Sequence, residues 1–205
     1  MTPMFQLPTA TAINKPLYKK AVFEKFNLKA AERDRFDADI SRMVLVARVS
    51  SATVPALTKG KEIEGFYVLQ VALKRKDYDT KNILMLQKLI PQKMVFVMQH
   101  EEQTQFCIFH TRLQQSEWMP TSEAAIPLQG LTLDDVWNNI VAIIGGLDAQ
   151  AEETVEEQIL NREQREKLLR QIESLEKQCR IEKQTRRKYE LHQKLQELKL
   201  KIKQV

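Results

Sequence analysis

Ile63-Glu64-Gly65-Phe66-Tyr67-Val68-Leu69-Gln70-Val71-Ala72-Leu73-Lys74 is the stretch that decides the fold class. Phe66, Val68, Leu69, Val71 and Leu73 are bulky or β-branched and too densely set for an amphipathic helix, so the stretch predicts a strand. Downstream, Asp79 or Thr80 offers an N-cap for a helix whose apolar face is Ile83, Leu84, Leu86, Leu89 and Ile90, and Pro91 ends it. Met94 to Gln99 and Gln105 to Thr111 then read as two strands about a polar turn at 101–104. Both faces of that hairpin are apolar, with Val95, Val97, Phe106 and Ile108 on one side and Phe96, Met98, Cys107 and Phe109 on the other. A hairpin apolar on both sides belongs in a sheet covered on both faces.

Upstream, Pro8 and Pro16 keep Leu7 to Lys15 out of helix and predict an extended arm. Short helices are expected over Leu17 to Phe26 and from Lys29 to about Phe36 or Asp39, followed by a strand over Ile40 to Val49 and a loop over Ser50 to Gly60. Short strands are expected near Glu117-Trp118 and Ile126-Pro127-Leu128. Thr132 to Asp135 caps a last helix bearing Val136, Trp137, Ile140, Val141, Ile143 and Ile144, which Gly145-Gly146 stops.

Beyond it the pattern changes. Leu168, Ile172, Leu175 and Cys179 step by four, three and four, and Leu191, Leu195, Leu198 and Ile202 repeat those steps. Two such seams with a polar break between them predict an antiparallel, coiled-coil-like helical hairpin. The expected class is therefore α+β: a mixed β-sheet with flanking helices over residues 1–147, then a C-terminal hairpin over 148–205.

Charge is polarised along the chain. The 205 residues carry a net +5, yet 176–205 hold ten Lys/Arg against four Glu, while 151–175 hold four basic and seven acidic residues. The cationic break Lys183, Arg186, Arg187, Lys188 suits an acidic partner, nucleic acid included, because guanidinium forks match phosphate oxygens. Lys74, Arg75 and Lys76 form a second basic run at a strand end and are further candidates for contact with nucleic acid.

Five glycines and three histidines leave no glycine-rich phosphate cradle and no Ser-His-acid arrangement, so no cofactor is implied. The two cysteines, Cys107 and Cys179, lie far apart in sequence with no second thiol near either one, a pattern of neither a disulfide framework nor a zinc ribbon, and one that fits a reducing compartment. Cys107 and His110 stand three apart on a strand and face opposite ways, so no metal site is expected there. With neither a leader pattern nor a long apolar run, the expectation is a cytoplasmic chain with no membrane segment.

Metal-dependent nucleases of the restriction-enzyme fold need an acid on one strand and Glu-x-Lys on the next: the carboxylates hold Mg²⁺ and the lysine stabilises phosphate charge. Asp37 or Asp39 precedes a strand and Lys74 ends the next, but Ala72 occupies the second acid's position.

Leu7-Pro8-Thr9 through Asn14-Lys15, Lys19 to Phe26, Phe36-Asp37-Ala38-Asp39-Ile40-Ser41-Arg42, Val68 to Asp77, Leu89 to Phe96, and Glu117-Trp118 with Gly130-Leu131 together resemble the bacterial domain-of-unknown-function family 4391 over nearly the whole chain. That resemblance implies a gene neighbouring helicases and DNA methyltransferases in restriction-like, phage-defence islands, and a family pattern in which some relatives carry Glu where Ala72 stands. The resulting expectation is a non-catalytic accessory or adaptor protein of a DNA-targeting complex. Its expected partners are helicase or methyltransferase subunits, with DNA or RNA as a further ligand. The alternatives are a divergent metal-dependent nuclease using Asp39 and Lys74, and self-association through the C-terminal helices.

Overall fold

The computed structural model describes residues 4–148, 151 and 153–202. The chain divides into two compact units, Met1–Gln150 and Ala151–Val205.

The first unit is a seven-stranded mixed sheet. After two 3₁₀ turns, Met4–Gln6 and Thr9–Thr11, the edge strand β1 (Ala12–Leu17) pairs antiparallel with β2 (Ile40–Ser50). The arm expected to be merely extended is thus a paired strand, carrying Pro16 and a register break between Ala12 and Lys15. Local pattern does not reveal this, because an edge strand tolerates Pro and exposure that a central strand would not.

Helices α1 (Lys19–Lys25) and α2 (Ala30–Asp39) lie between them in sequence. β3 (Gly65–Leu73) is antiparallel to β2, and helix α3 (Lys81–Leu89) crosses over to β4 (Met94–His100), which runs parallel to β3. β5 (Gln103–Phe109) returns antiparallel to β4. The turn holds two residues rather than the four expected, so His100 pairs with Gln103 and Gln99 with Thr104. Glu101 makes this possible by adopting a left-handed φ of 53°.

β6 (Leu113–Gln115) and β7 (Met119–Pro120) pair with different parts of β5. Ile126-Pro127-Leu128 is not a strand; the Ile126 N–H instead donates to the Phe5 carbonyl at 3.0 Å. Helix α4 (Leu133–Gly145) begins with a Thr132–Asp135 capping box and ends at Gly146, whose φ of 59° closes the helix.

Two cores follow from strand alternation. Val22, Phe36, Met43, Leu69, Val71, Ile83, Leu86, Phe96, Met98 and Cys107 fill the face that α1–α3 cover. On the other face Phe66 packs against Trp137 of α4, ring centroids 5.6 Å apart, and Phe5 meets Phe106 edge-on. Five consecutive residues of β4, Met94 to Met98, are buried, as a strand covered on both faces requires.

The second unit is helix α5 (Val155–Ile181), joined by three residues to helix α6 (Thr185–Lys201), and the two pack together. Ile172 and Cys179 of α5 and Leu195 of α6 are buried, with Leu168, Leu175, Leu191, Leu198 and Ile202 half-buried. The seam matches the four-three-four reading. Glu176 pairs with Lys199 at 2.7 Å.

Candidate functional site

Helix α2 hands over to β2 at Asp39, which is 1% exposed. Its Oδ1 accepts from Arg75 Nε at 2.5 Å and from a second guanidinium nitrogen of Arg75; its Oδ2 accepts from the Asp79 N–H at 2.9 Å and from Asn82 Nδ2 at 2.8 Å. A carboxylate has about four acceptor positions, and four donors occupy them. The Asp39 carbonyl also accepts the Lys74 N–H at 2.7 Å. Asp39 therefore fastens the 74–80 loop and the first turn of α3 to the α2–β2 junction.

The strand-end cations differ in circumstance. Arg75 is neutralised by Asp39. Lys76 Nζ donates to Gln103 Oε1 at 2.6 Å and sits 5.1 Å over the Trp118 ring. Lys74 is exposed at the end of β3. Beneath them Tyr78, edge-on to Trp118, donates to Gln105 Oε1 at 2.8 Å and accepts from Gln115 Nε2 at 2.9 Å; its oxygen lies 3.4 Å from Cys107 Sγ. Burial pushes the Cys107 thiol up to about 11. Burial, then the neighbouring Cys107, pushes the Tyr78 phenol upward. Both groups stay protonated at neutral pH, so this pair is packed polar structure, with no thiolate to act as a nucleophile.

His110 Nδ1 accepts from Trp137 Nε1 at 3.3 Å on the α4 side, whereas Cys107 belongs to the opposite core. Among the described residues no three or more His, Cys, Asp or Glu side chains are gathered where they could hold a metal ion, and no helix is long and apolar enough to cross a membrane.

In the hairpin, Lys183 lies in the link and Arg186, Arg187 and Lys188 in the first two turns of α6, all exposed. Arg186 pairs with Glu190 at 3.5 Å and Arg187 with Glu182 at 3.6 Å. The first turn of α6 carries no acid, and Gln184 makes no side-chain cap. Its positive dipole end therefore adds to the cationic field.

Residues 5–202 match the family model described as Domain of unknown function (DUF4391). The chain belongs to the DUF4391 family. No curated protein and no solved structure matches it.

Within this DUF4391 chain, Asp39 and Lys74 meet through the backbone, Arg75 joins them through its side chain, and Lys76 turns toward Gln103 and Trp118. Two polar features escaped the sequence reading. Asp134, in the first turn of α4, accepts from the N–H groups of Lys61 at 2.6 Å and Ile63 at 2.8 Å, and so clamps the β2–β3 loop. On the sheet, Gln70 donates to Gln99, which donates to Thr104 at 3.4 Å, and Thr104 shares a 2.9 Å bond with Thr121. The signal that was available is Asp at the second position of a capped helix, a placement that favours acceptance from backbone donors.

Proposed function

We propose that this DUF4391 chain is a non-catalytic accessory or adaptor protein of a DNA-targeting restriction or phage-defence complex, binding helicase or methyltransferase subunits and contacting nucleic acid. The observation that carries the reading is Asp39: the acid beside the strand-end lysine spends its acceptor capacity on Arg75, Asp79 and Asn82. A carboxylate so saturated has no acceptor position left for Mg²⁺ without dismantling the junction it holds. The exposed cations Lys183, Arg186, Arg187 and Lys188, together with Lys74, supply the charge that a phosphate backbone selects. The restriction and defence context rests on family resemblance.

Purification beside the products of neighbouring genes tests the reading. Co-elution with a helicase or methyltransferase, or salt-sensitive retardation of DNA that weakens when Arg186 and Arg187 become Glu, supports it; the absence of both overturns it.

The nuclease alternative would use Asp39 and Lys74, which a 2.7 Å backbone bond holds side by side across the strand ends. Incubating DNA with the protein and Mg²⁺ or Mn²⁺ distinguishes the two readings. Cleavage that Lys74→Ala abolishes would establish the nuclease.

A further inference from the structure

At the opposite end of β3 from Lys74 lies a cleft of about 770 Å³, bounded by β2, the start of β3 and the chain leaving α3. Its size lies within the range of small-molecule sites. Three cations from three separate segments line it: Arg48 of β2, Lys88 near the end of α3, and Lys93 just before β4. Among the described residues none of the three is ion-paired. Two acids line the cleft as well, Glu62 and Glu64, but Glu64 is engaged by Lys59 outside it, and that ammonium holds its carboxyl below the usual range. The uncompensated charge is therefore positive.

The cleft also carries flat surfaces. The Arg48 guanidinium lies 5.6 Å over the Tyr67 ring, and Phe109, 37% exposed, contributes an open ring. Gln87 shares the wall: its Nε2 donates to the Gln92 carbonyl at 2.9 Å, while its buried Oε1 has no partner.

We infer that this cleft binds a nucleoside phosphate unit, with phosphate oxygens on Lys88 and Lys93 and the base against the Arg48–Tyr67 stack and Phe109. Ammonium groups attract phosphate as point charges, and bases stack on guanidinium planes as readily as on aromatic rings. Free nucleotides and single strands both present that unit. The site is independent of the hairpin cations and of the adaptor reading.

Calorimetric titration of the full-length protein with AMP, with an oligothymidylate of about eight residues, and with an oligoglutamate peptide of similar length tests the proposal. Saturable binding of AMP or of the oligonucleotide is expected, with Kd on the order of 100 μM and weakening as salt rises. Lys88→Glu, an exposed change that spares the core, should weaken it tenfold or more, as should Arg48→Gln, whereas Lys25→Glu, at an exposed cation of α1 that does not line the cleft, should leave AMP affinity unaltered. AMP binding identifies a free-nucleotide site; binding of the oligonucleotide alone, measured in the Arg186→Glu, Arg187→Glu background so that the hairpin does not contribute and still lost on adding Lys88→Glu, identifies a strand site. The inference is overturned if neither nucleotide probe saturates by about 5 mM, if Lys88→Glu binds like the parent, or if the peptide binds as tightly as they do.

Discussion

Replacing Asp39 by Ala tests its role as a fastener directly. The change strands the buried Asn82 amide and the Asp79 N–H, and it releases Arg75, whose side chain is 57% exposed and can rehydrate. An orphaned buried donor costs about 1–3 kcal/mol. The Asp79 N–H lies nearer the surface and costs less, and the Arg75 pair is discounted for its exposure. The expected loss is about 2–4 kcal/mol, which for a unit of this size lowers Tm by roughly 5–15 °C. Asp39→Asn should recover only part of it, because one amide oxygen cannot replace two carboxylate oxygens and its NH₂ faces another donor. Thermal and urea denaturation followed by circular dichroism measures both variants, with Lys74→Ala as a neighbour expected to stay within about 0.5 kcal/mol of the parent. A Tm for Asp39→Ala within about 1 °C of the parent would refute the reasoning and return Asp39 to the status of a residue kept for chemistry.

Other outcomes follow from the same geometry. Gly60→Ala puts a Cβ 2.1 Å from Asp134 Oδ1 and 2.9 Å from the Asp134 nitrogen, so the clamp must shift and urea unfolding should report a loss of about 1–3 kcal/mol. Leu195→Ala removes a buried seam residue of the hairpin and should cost about 2–3 kcal/mol, read as an earlier loss of far-UV helix signal on heating. Cys107 titrates in the fold near 11 against an ordinary value of 9.0, so its contribution is whole below 9 and disappears as pH rises through 11; Cys107→Ala should flatten that part of the alkaline stability profile. Asp135 has the opposite sign. Its carboxyl is held below the ordinary 3.8 by the Thr132 side chain and backbone, so the α4 cap contributes above that value and weakens as pH falls through the lowered one, a trend that Thr132→Ala should blunt.

Elements that bury a periodic face were legible. β3, β4, α3, α4 and both seams of the hairpin follow from Val68–Val71, Ile83–Leu86, Trp137–Ile144 and Ile172–Leu195, because local spacing and tertiary burial demand the same residues there. Elements defined by their partners were not. β1 is a strand only because β2 lies beside it, and the β4–β5 turn shortened because Glu101 accepts a left-handed φ that its residue type does not advertise. The same limit governed the sites. Asp39 reads as a candidate ligand until donors 36 to 43 residues downstream are seen to saturate it. The Arg48–Lys88–Lys93 cleft draws on segments with no common motif, so only the fold assembles it.

The two borders of the sheet have a consequence for assembly. On one side β1 carries Pro16, Lys15 and a bulge at Asn14, whose φ is 54°; on the other, β6 and β7 run for only three and two residues. Neither border offers an uninterrupted row of free peptide groups for a foreign strand to extend. Recruitment by strand addition is thereby discouraged at both ends, as is runaway polymerisation of crowded copies. Side chains rather than a shared strand are therefore the expected means by which a companion recognises the sheet, and surface substitutions are the way to disrupt such a union.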